Sequence, residues 1–525
     1  GESDNILISI PTRWVLFMAH LRTNFDNNKI IFVFLKNVNS LQLLCEIGHY
    51  MLYSMYVFIG GISMINLAGH NQIHCIGIGG VGLSAIAEIL LSRGYRVTGS
   101  DMKESETTDR LIAKGTNIYL GHRERNVEGA DLVIYSAAVG EDNPELSRAR
   151  ELGIPAVTRA DILGTLMREY ETSIAISGTH GKTTTTSMVS LIMEKAGKDP
   201  TILVGGNLSE IGGNVKVGDS DIFVTEACEY MDSFLFLEPK IEIILNIDSD
   251  HLDYFKDIDH IAKSFETFAK SVPEDGYIIA FDSNPFVKAV TQDRPNVITF
   301  GLNDNCTYSA RNISFNTQGF PSFDLYHKED MLLEIELSIP GEHNILNALA
   351  AFACGHTLGV DPEVIARTLK EFAGTQRRFD VQGRTDGGVT IVDDYAHHPT
   401  EIKATLAAAK NMPYKSLWCL FQPHTYSRTL ALFDEFTKAF DKADYLVMAE
   451  IYGAREKNIY KISSRSIVDK LKEMDPKRFA YYFETLEEIA DFVYANAEEG
   501  DIVITMGAGD IYKVGEMILE KDFEK

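Results

Sequence analysis

The chain has 525 residues, enough for about three domains at roughly 100–200 residues each. Hydrophobic residues make up 45% and charged residues 24%, which excludes a wholly disordered or fibrous chain. Asp+Glu is 75 against 49 Lys+Arg, so the formal net charge is −26, and the overall field argues against a nucleic-acid partner. Phosphate must then be held locally, by loops, helix ends and metal ions. None of the six cysteines has CxxC spacing, so neither a zinc site nor a disulfide framework is indicated, and a reducing cytoplasm is the natural location.

Residues 1–63 carry no usable motif. The apolar stretch 41–62 approaches the roughly 20 residues that span a bilayer, but it holds Glu46 and His49, and Gly60-Gly61 lies near its end. It also lacks a signal peptide's charged start and cleavage site. We read 1–63 as an N-terminal extension of uncertain status ahead of Met64, expect no membrane partner, and expect a chain starting at Met64 to be active.

Residues 72–76 are a short apolar run. Gly77-Ile78-Gly79-Gly80-Val81-Gly82 follows, then a helical pattern over 83–91 and a second strand ending in Asp101. In a strand–GxGxxG–helix–strand–Asp unit, Gly77, Gly79, Gly80 and Gly82 permit close backbone approach to a diphosphate, and the acid takes a ribose or base. The motif alone does not separate NAD from a UDP-sugar.

A further strand is predicted over 132–138 and a helix over 158–167. The strand 174–177 then opens a second block, Gly178-Thr179-His180-Gly181-Lys182-Thr183-Thr184-Thr185-Thr186, followed by a helix through Met193. This departs from the full Walker pattern, because Ile176 stands where its first Gly belongs. The physical parts are present: glycines expose N–H groups, Lys182 reaches β/γ-phosphates, and Thr183 or Thr184 can ligate Mg²⁺. Strand 221–226 ends in Glu226, and strand 241–247 runs into Asp248-Ser249-Asp250-His251-Leu252-Asp253. Strand ends are where α/β sheets place reactive groups, and a His among hard-cation ligands is unusual.

The third block has a strand over 389–392 leading to Asp393-Asp394-Tyr395-Ala396-His397-His398-Pro399. A strand over 417–421 leads to Gln422-Pro423-His424-Thr425-Tyr426-Ser427-Arg428. Strands 444–449 and 501–506 follow. Strands alternating with helices imply a parallel, doubly wound sheet.

These motifs, in this order, resemble the Mur ligase family. The resemblance runs from about Met64 to the C-terminus and rests on GIGGVGLSAIAE, GTHGKTTTT, EACEY, DHLDYF, GEHNILNALAA, RRFD, DDYAHHPTEI and FQPHTYSRT. The last two are the narrowest and resemble the alanine-adding branch. The family implies an α/β chain of three domains: a Rossmann-like UDP-substrate domain (64–170), a central P-loop ATPase domain (171–379) and a Rossmann-like C-terminal amino-acid domain (380–525). It implies ATP-dependent joining of L-alanine to the lactyl carboxylate of UDP-N-acetylmuramate through an acyl phosphate.

Residue by residue, the resemblance implies ATP contacts at Gly178, Thr179, His180, Gly181, Lys182, Thr183, Thr184, Asn344, Asn347, Arg378 and Asp394. It implies Mg²⁺ ligation by Thr183, Glu226 and His251. Many sister ligases have a carbamylated lysine where this chain has Glu266, which is therefore expected near the metal. Gly77, Gly79, Gly80, Gly82 and Asp101 match the UDP-substrate loop. Tyr395, His397 and Arg428 match the alanine pocket, although Thr425 replaces an arginine of some relatives. A rival NAD-dependent oxidoreductase leaves the second phosphate loop unexplained, and a decayed, non-catalytic nucleotide binder does not need Lys182, Glu226 and His251 together.

Overall fold

Three separate sheets carry the described residues. The computed structural model describes residues 65–136, 139–251, 254–454 and 456–523, which form one compact unit. The expectations for 1–63 lie outside the described residues. Among those described, no helix is long and apolar enough to cross a membrane.

The first sheet has five parallel strands in the order Asn117–Leu120, Arg96–Asp101, Gln72–Ile76, Leu132–Tyr135, Ala156–Thr158. This is the strand order of a Rossmann half, reversing direction beside Gln72–Ile76. The glycine loop leaves that strand and enters the helix Val81–Ser92. Gly99 leaves no room for a side chain there: an added Cβ would meet Ile78 at 2.5 Å.

The central sheet has ten strands. Its middle is parallel, with Thr172–Ser177 between Ile222–Glu226 and Ile241–Ile244. Register pairs Ile176 with Glu226 and Ser177 with Ile244, so Gly178, Glu226 and the 245–251 loop all emerge from one edge. The predicted strand 241–247 stops at Ile244 because the phosphate loop folds over its end. Leu245 N–H donates to Ser177 O at 3.1 Å, and Thr179 N–H to Asn246 O at 3.1 Å. An antiparallel meander, Tyr308–Phe315, Pro321–His327 and Asp330–Glu336, extends the sheet, a feature absent from the sequence reading.

In the helix Lys182–Lys195 the first residue is followed by four threonines, which are poor helix formers. Packing overrides that preference: Met188, Val189 and Ile192 share a buried core with Ile345, Leu349 and Phe352 of the helix Glu342–Thr357. The third sheet orders its strands Asp380–Arg384, Thr390–Asp394, Ile502–Met506, Leu417–Phe421, Tyr445–Met448, Phe479–Tyr482; all are parallel except the first. Asp394 and Phe421 both stand level with Met506, so the three following loops share one edge.

Candidate active site

Two clefts flank the central domain. The smaller, of about 360 Å³, brings Gly80, Gly82 and Arg159 from the first sheet's side against Gly205, Glu226 and Cys228. The larger, of about 950 Å³, joins Asp250 and His251 to His424, Thr425, Ser427 and Arg428.

In the first cleft, Gly77 adopts φ 81° and its N–H donates to Ser100 O at 2.8 Å. Gly79 N–H donates to Asp101 Oδ2 at 2.9 Å. The Asp101 carboxylate therefore braces the glycine loop itself. Arg159 lies so close to Gly82 that an added Cβ would meet its guanidinium at 3.1 Å. This cation was missed in the sequence because it stands 77 residues from the loop it faces.

In the phosphate loop, Gly178 and Gly181 have φ 134° and 88°. A Cβ on Gly181 would meet Asn347 Oδ1 at 2.6 Å, so glycine is needed for the close approach of the two segments. Asn347 Nδ2 donates to Asn344 Oδ1 at 3.0 Å, which in turn donates from Nδ2 to Pro340 O at 2.7 Å. Lys182 Nζ donates to Thr179 O at 3.1 Å and to Glu229 Oε2 at 2.9 Å. Burial works against the ammonium, but Glu229 outweighs it and raises Lys182 above its usual range. Glu229 was left unassigned in the sequence, although it lies in the EACEY motif.

Glu226 Oε1 accepts from Gly205 N–H at 2.6 Å. His251, at φ 53°, points Nε2 towards Glu229 Oε1 at 3.8 Å and packs its ring 4.7 Å from Tyr230. Thr183 is buried at the first turn of its helix. Glu229 links the Lys182 ammonium to the His251 imidazole, and Glu226 acts on Lys182 from nearby, so carboxylate oxygens that suit a hard dication gather beside the phosphate loop.

The expectation for Glu266 is corrected. Glu266 lies on the outer face of the helix Ile258–Ala269, paired with Lys263 at 2.7 Å and also with Lys270. These neighbours hold it at about 2. The buried face of that helix is Ile261, Ser264, Phe265 and Phe268, so it is Ser264 that reaches inward, to Asp232.

Charged side chains close the second cleft. Arg428 donates from Nε and Nη2 to Asp250 Oδ1, both at 3.1 Å. Burial opposes ionisation of Asp250, but Arg428 and then His251 hold it well below the usual carboxylate range. Burial, His397 and Arg428 push His424 down to about 4, leaving a neutral ring 3.4 Å from Arg428 Nη1.

His180 reaches Asp248 Oδ2 at 3.4 Å and Glu401 Oε1 at 3.2 Å. Burial lowers it, but the two carboxylates prevail and raise it to about 9. Tyr395 packs edge-on to His397 at 5.5 Å and lies under both Arg377 and Arg378, 5.0 and 5.2 Å from its ring. Arg377 also bonds Asp393 at 2.8 Å, so it fastens the junction that carries Arg378. Asp394 accepts from Phe379 and Ala396 N–H, and burial raises it to about 6.

Known proteins resemble this chain throughout the described unit. Three family models match in order: Mur ligase family, catalytic domain over 72–171; Mur ligase middle domain over 176–355; and Mur ligase, glutamate ligase domain over 377–509. The UDP-N-acetylmuramate–L-alanine ligase of Alkaliphilus metalliredigens is 51% identical over 85% of this chain and 97% of its own length. That of Clostridium acetobutylicum is 52% identical over 86% and 98%. The crystal structure of the UDP-N-acetylmuramate-alanine ligase of Thermotoga maritima superposes with TM-score 0.74 at 32% identity, covering 87% of this chain and 100% of that one.

Proposed function

The chain belongs to the Mur ligase family, and from that premise we infer that it joins L-alanine to the lactyl carboxylate of UDP-N-acetylmuramate in an ATP-dependent reaction of peptidoglycan precursor synthesis. The observation that carries the reading is the continuous path of polar groups from the phosphate loop to the third domain: Lys182, Glu229, His251, Asp250, Arg428. The reaction implied by the family forms an acyl phosphate on the lactyl carboxylate and then an amide.

A carboxylate and a triphosphate repel each other, so their approach requires fixed positive charge. Lys182 supplies it at the phosphates, and Glu229 keeps that ammonium aimed before ATP arrives. Gly178, Thr179, His180, Gly181, Thr183 and Thr184 hold the phosphates by backbone and hydroxyl groups. Asn344 and Asn347 hold the base, and Arg378 and Asp394 reach the nucleotide from the domain junction. Thr183, Glu226 and His251 would hold Mg²⁺, which neutralises phosphate charge when bound. Gly77, Gly79, Gly80 and Gly82 receive the UDP-substrate, with Asp101 bracing their loop and Arg159 offering a cation beside it.

Arg428 holds the alanine carboxylate by parallel hydrogen bonds, with Tyr395 and His397 limiting the space around the methyl group. Asp250 holds that guanidinium until alanine arrives. The domain boundaries at 170/171 and 379/380, and a cytoplasmic location, belong to this same reading. Its test is coupling: phosphate release is expected only with ATP, Mg²⁺, UDP-N-acetylmuramate and L-alanine together. Equal ATP hydrolysis without the UDP-sugar would overturn it.

A further inference from the structure

One cluster of metal-ligating side chains stands apart from the groups assigned to phosphate-bound Mg²⁺. Among the described residues, His180, Asp248 and His398 each bring one donor atom to within 4.8 Å of the others. His180 and Asp248 belong to the central domain, whereas His398 comes from the start of the helix Pro399–Ala409 in the third. We propose that these three residues form an interdomain site for a transition-metal dication of the zinc class.

The donor chemistry selects the ion. Two imidazoles and one carboxylate suit zinc, cobalt or nickel, while Mg²⁺ favours an all-oxygen shell. Spacing agrees for the first pair: donors sharing a tetrahedral zinc lie about 3.3 Å apart, given bonds near 2.0–2.1 Å. His180 Nε2 and Asp248 Oδ2 are 3.4 Å apart. The His180 and His398 rings are 4.9 Å apart between centroids, so the third ligand needs a modest approach.

The outer contacts are those that metal-bound histidines require. Such a ring usually gives its other nitrogen to a carboxylate or backbone carbonyl, which fixes the tautomer. His180 Nδ1 faces Glu401 Oε1 at 3.2 Å, and His398 Nε2 faces the backbone oxygen of Ser249 at 2.9 Å. That leaves His180 Nε2 and His398 Nδ1 as the ligating atoms. His398 Nδ1 accepts from Thr400 N–H at 3.3 Å as the cap of its helix, a contact the ion would replace. Binding releases the proton carried by His180, as ligation by imidazole demands. The bound ion would tie the phosphate loop to the third domain through side chains that already meet by ion-pair and ring contacts.

The probes are Co²⁺ and Zn²⁺, added to the full chain without substrates and with Mg²⁺ in excess, so the readout does not depend on the ligase reading. A visible cobalt d–d band saturating at one equivalent and bleached by Zn²⁺ is expected. His398→Asn removes an imidazole but keeps an acceptor suited to a helix N-cap. It should weaken cobalt binding beyond the roughly 10–100-fold that losing an outer partner costs. Asp248→Asn is the second arm, decisive if the first variant does not fold, with the same expected loss. His251→Ala should keep the band. Absence of a saturable band, an unchanged band in the folded Asp248 or His398 variant, or its loss in His251→Ala would overturn the site.

Discussion

The two clefts beside the central domain are held by different forces. On the N-terminal side, closely packed backbone is joined by side-chain bridges, among them the Arg168–Glu238 pair at 3.5 Å. A Cβ on Gly164 would meet the Phe236 carbonyl oxygen at 2.1 Å, and Asn214 Nδ2 donates to Val81 O at 2.9 Å. On the C-terminal side, charged side chains meet: Arg428 with Asp250, and His180 with Glu401. Close-packed backbone tolerates little displacement, whereas ionic contacts exchange partners when a charged ligand enters. On the proposed function, the contacts of the third domain are the ones that can exchange for a charged ligand, whereas those of the first are the more closely packed.

The largest effect is expected at the phosphate loop. Lys182→Ala removes the ammonium that Glu229 aims, and losing one stabiliser of developing charge costs about 10²–10³ in turnover. Single-turnover formation of ADP with a folded variant checks it; near-normal turnover would remove Lys182 from its role. Next comes Arg428→Ala, on the ionic side. The loss of charge-assisted hydrogen bonds, about 1.5–3 kcal/mol, corresponds to an increase in the alanine KM of roughly 10–100-fold. The KM for ATP and for UDP-N-acetylmuramate should barely move, and equal shifts in all three would break the assignment.

The packed side is probed by Gly164→Ala. Forcing a methyl group against the Phe236 carbonyl should cost about 1–3 kcal/mol of stability and raise the KM for the UDP-substrate more than that for alanine. Unchanged denaturant midpoints would contradict the close approach. A smaller effect is expected from pH. His424 is held down to about 4 by burial and its charged neighbours, against an ordinary 6.5. The unfolded chain therefore binds this proton more readily between those values, and the stability His424 contributes above pH 6.5 is lost as pH falls towards 4. Allowing for its partial exposure, His424→Gln should reduce the acid-side loss by about 1 kcal/mol. Melting curves across that window would reveal an unchanged slope if the ring were already charged. The smallest effect is expected at Glu266→Gln, which touches neither cleft. Exposed ion pairs of this type are worth about 0.3–0.5 kcal/mol, so turnover should stay near normal, and a steep loss would return Glu266 to the metal.

Much of this molecule is local in the chain and therefore legible there. Glycine loops between strand and helix, acids at strand ends, and strand–helix alternation each depend on a few consecutive residues, so the loops at 77–82 and 178–184 and the strand Leu417–Phe421 stand where the sequence puts them. The meander over 308–336 was not legible, because its strands pair antiparallel at the edge of a sheet whose centre alone carries the phosphate-loop signal. Glu266 was misplaced for a related reason. Its position sixteen residues after Asp250 fixes its place along the helix, but helix rotation, set by the packing of Phe265 and Phe268, turns it towards Lys263 and Lys270.

The sequence by itself determined the fold class, the order of the blocks and the residue types around phosphate, because these follow from periodicity and turn chemistry over short spans. Only the tertiary structure decided which charges meet. Arg428 lies 178 residues from Asp250, Glu401 lies 221 from His180, and Arg159 faces a loop far behind it. No local rule specifies such pairs. They arise when sheets of three domains bring distant strand ends together in a poorly hydrated space, where an unpartnered charge is too costly to leave alone.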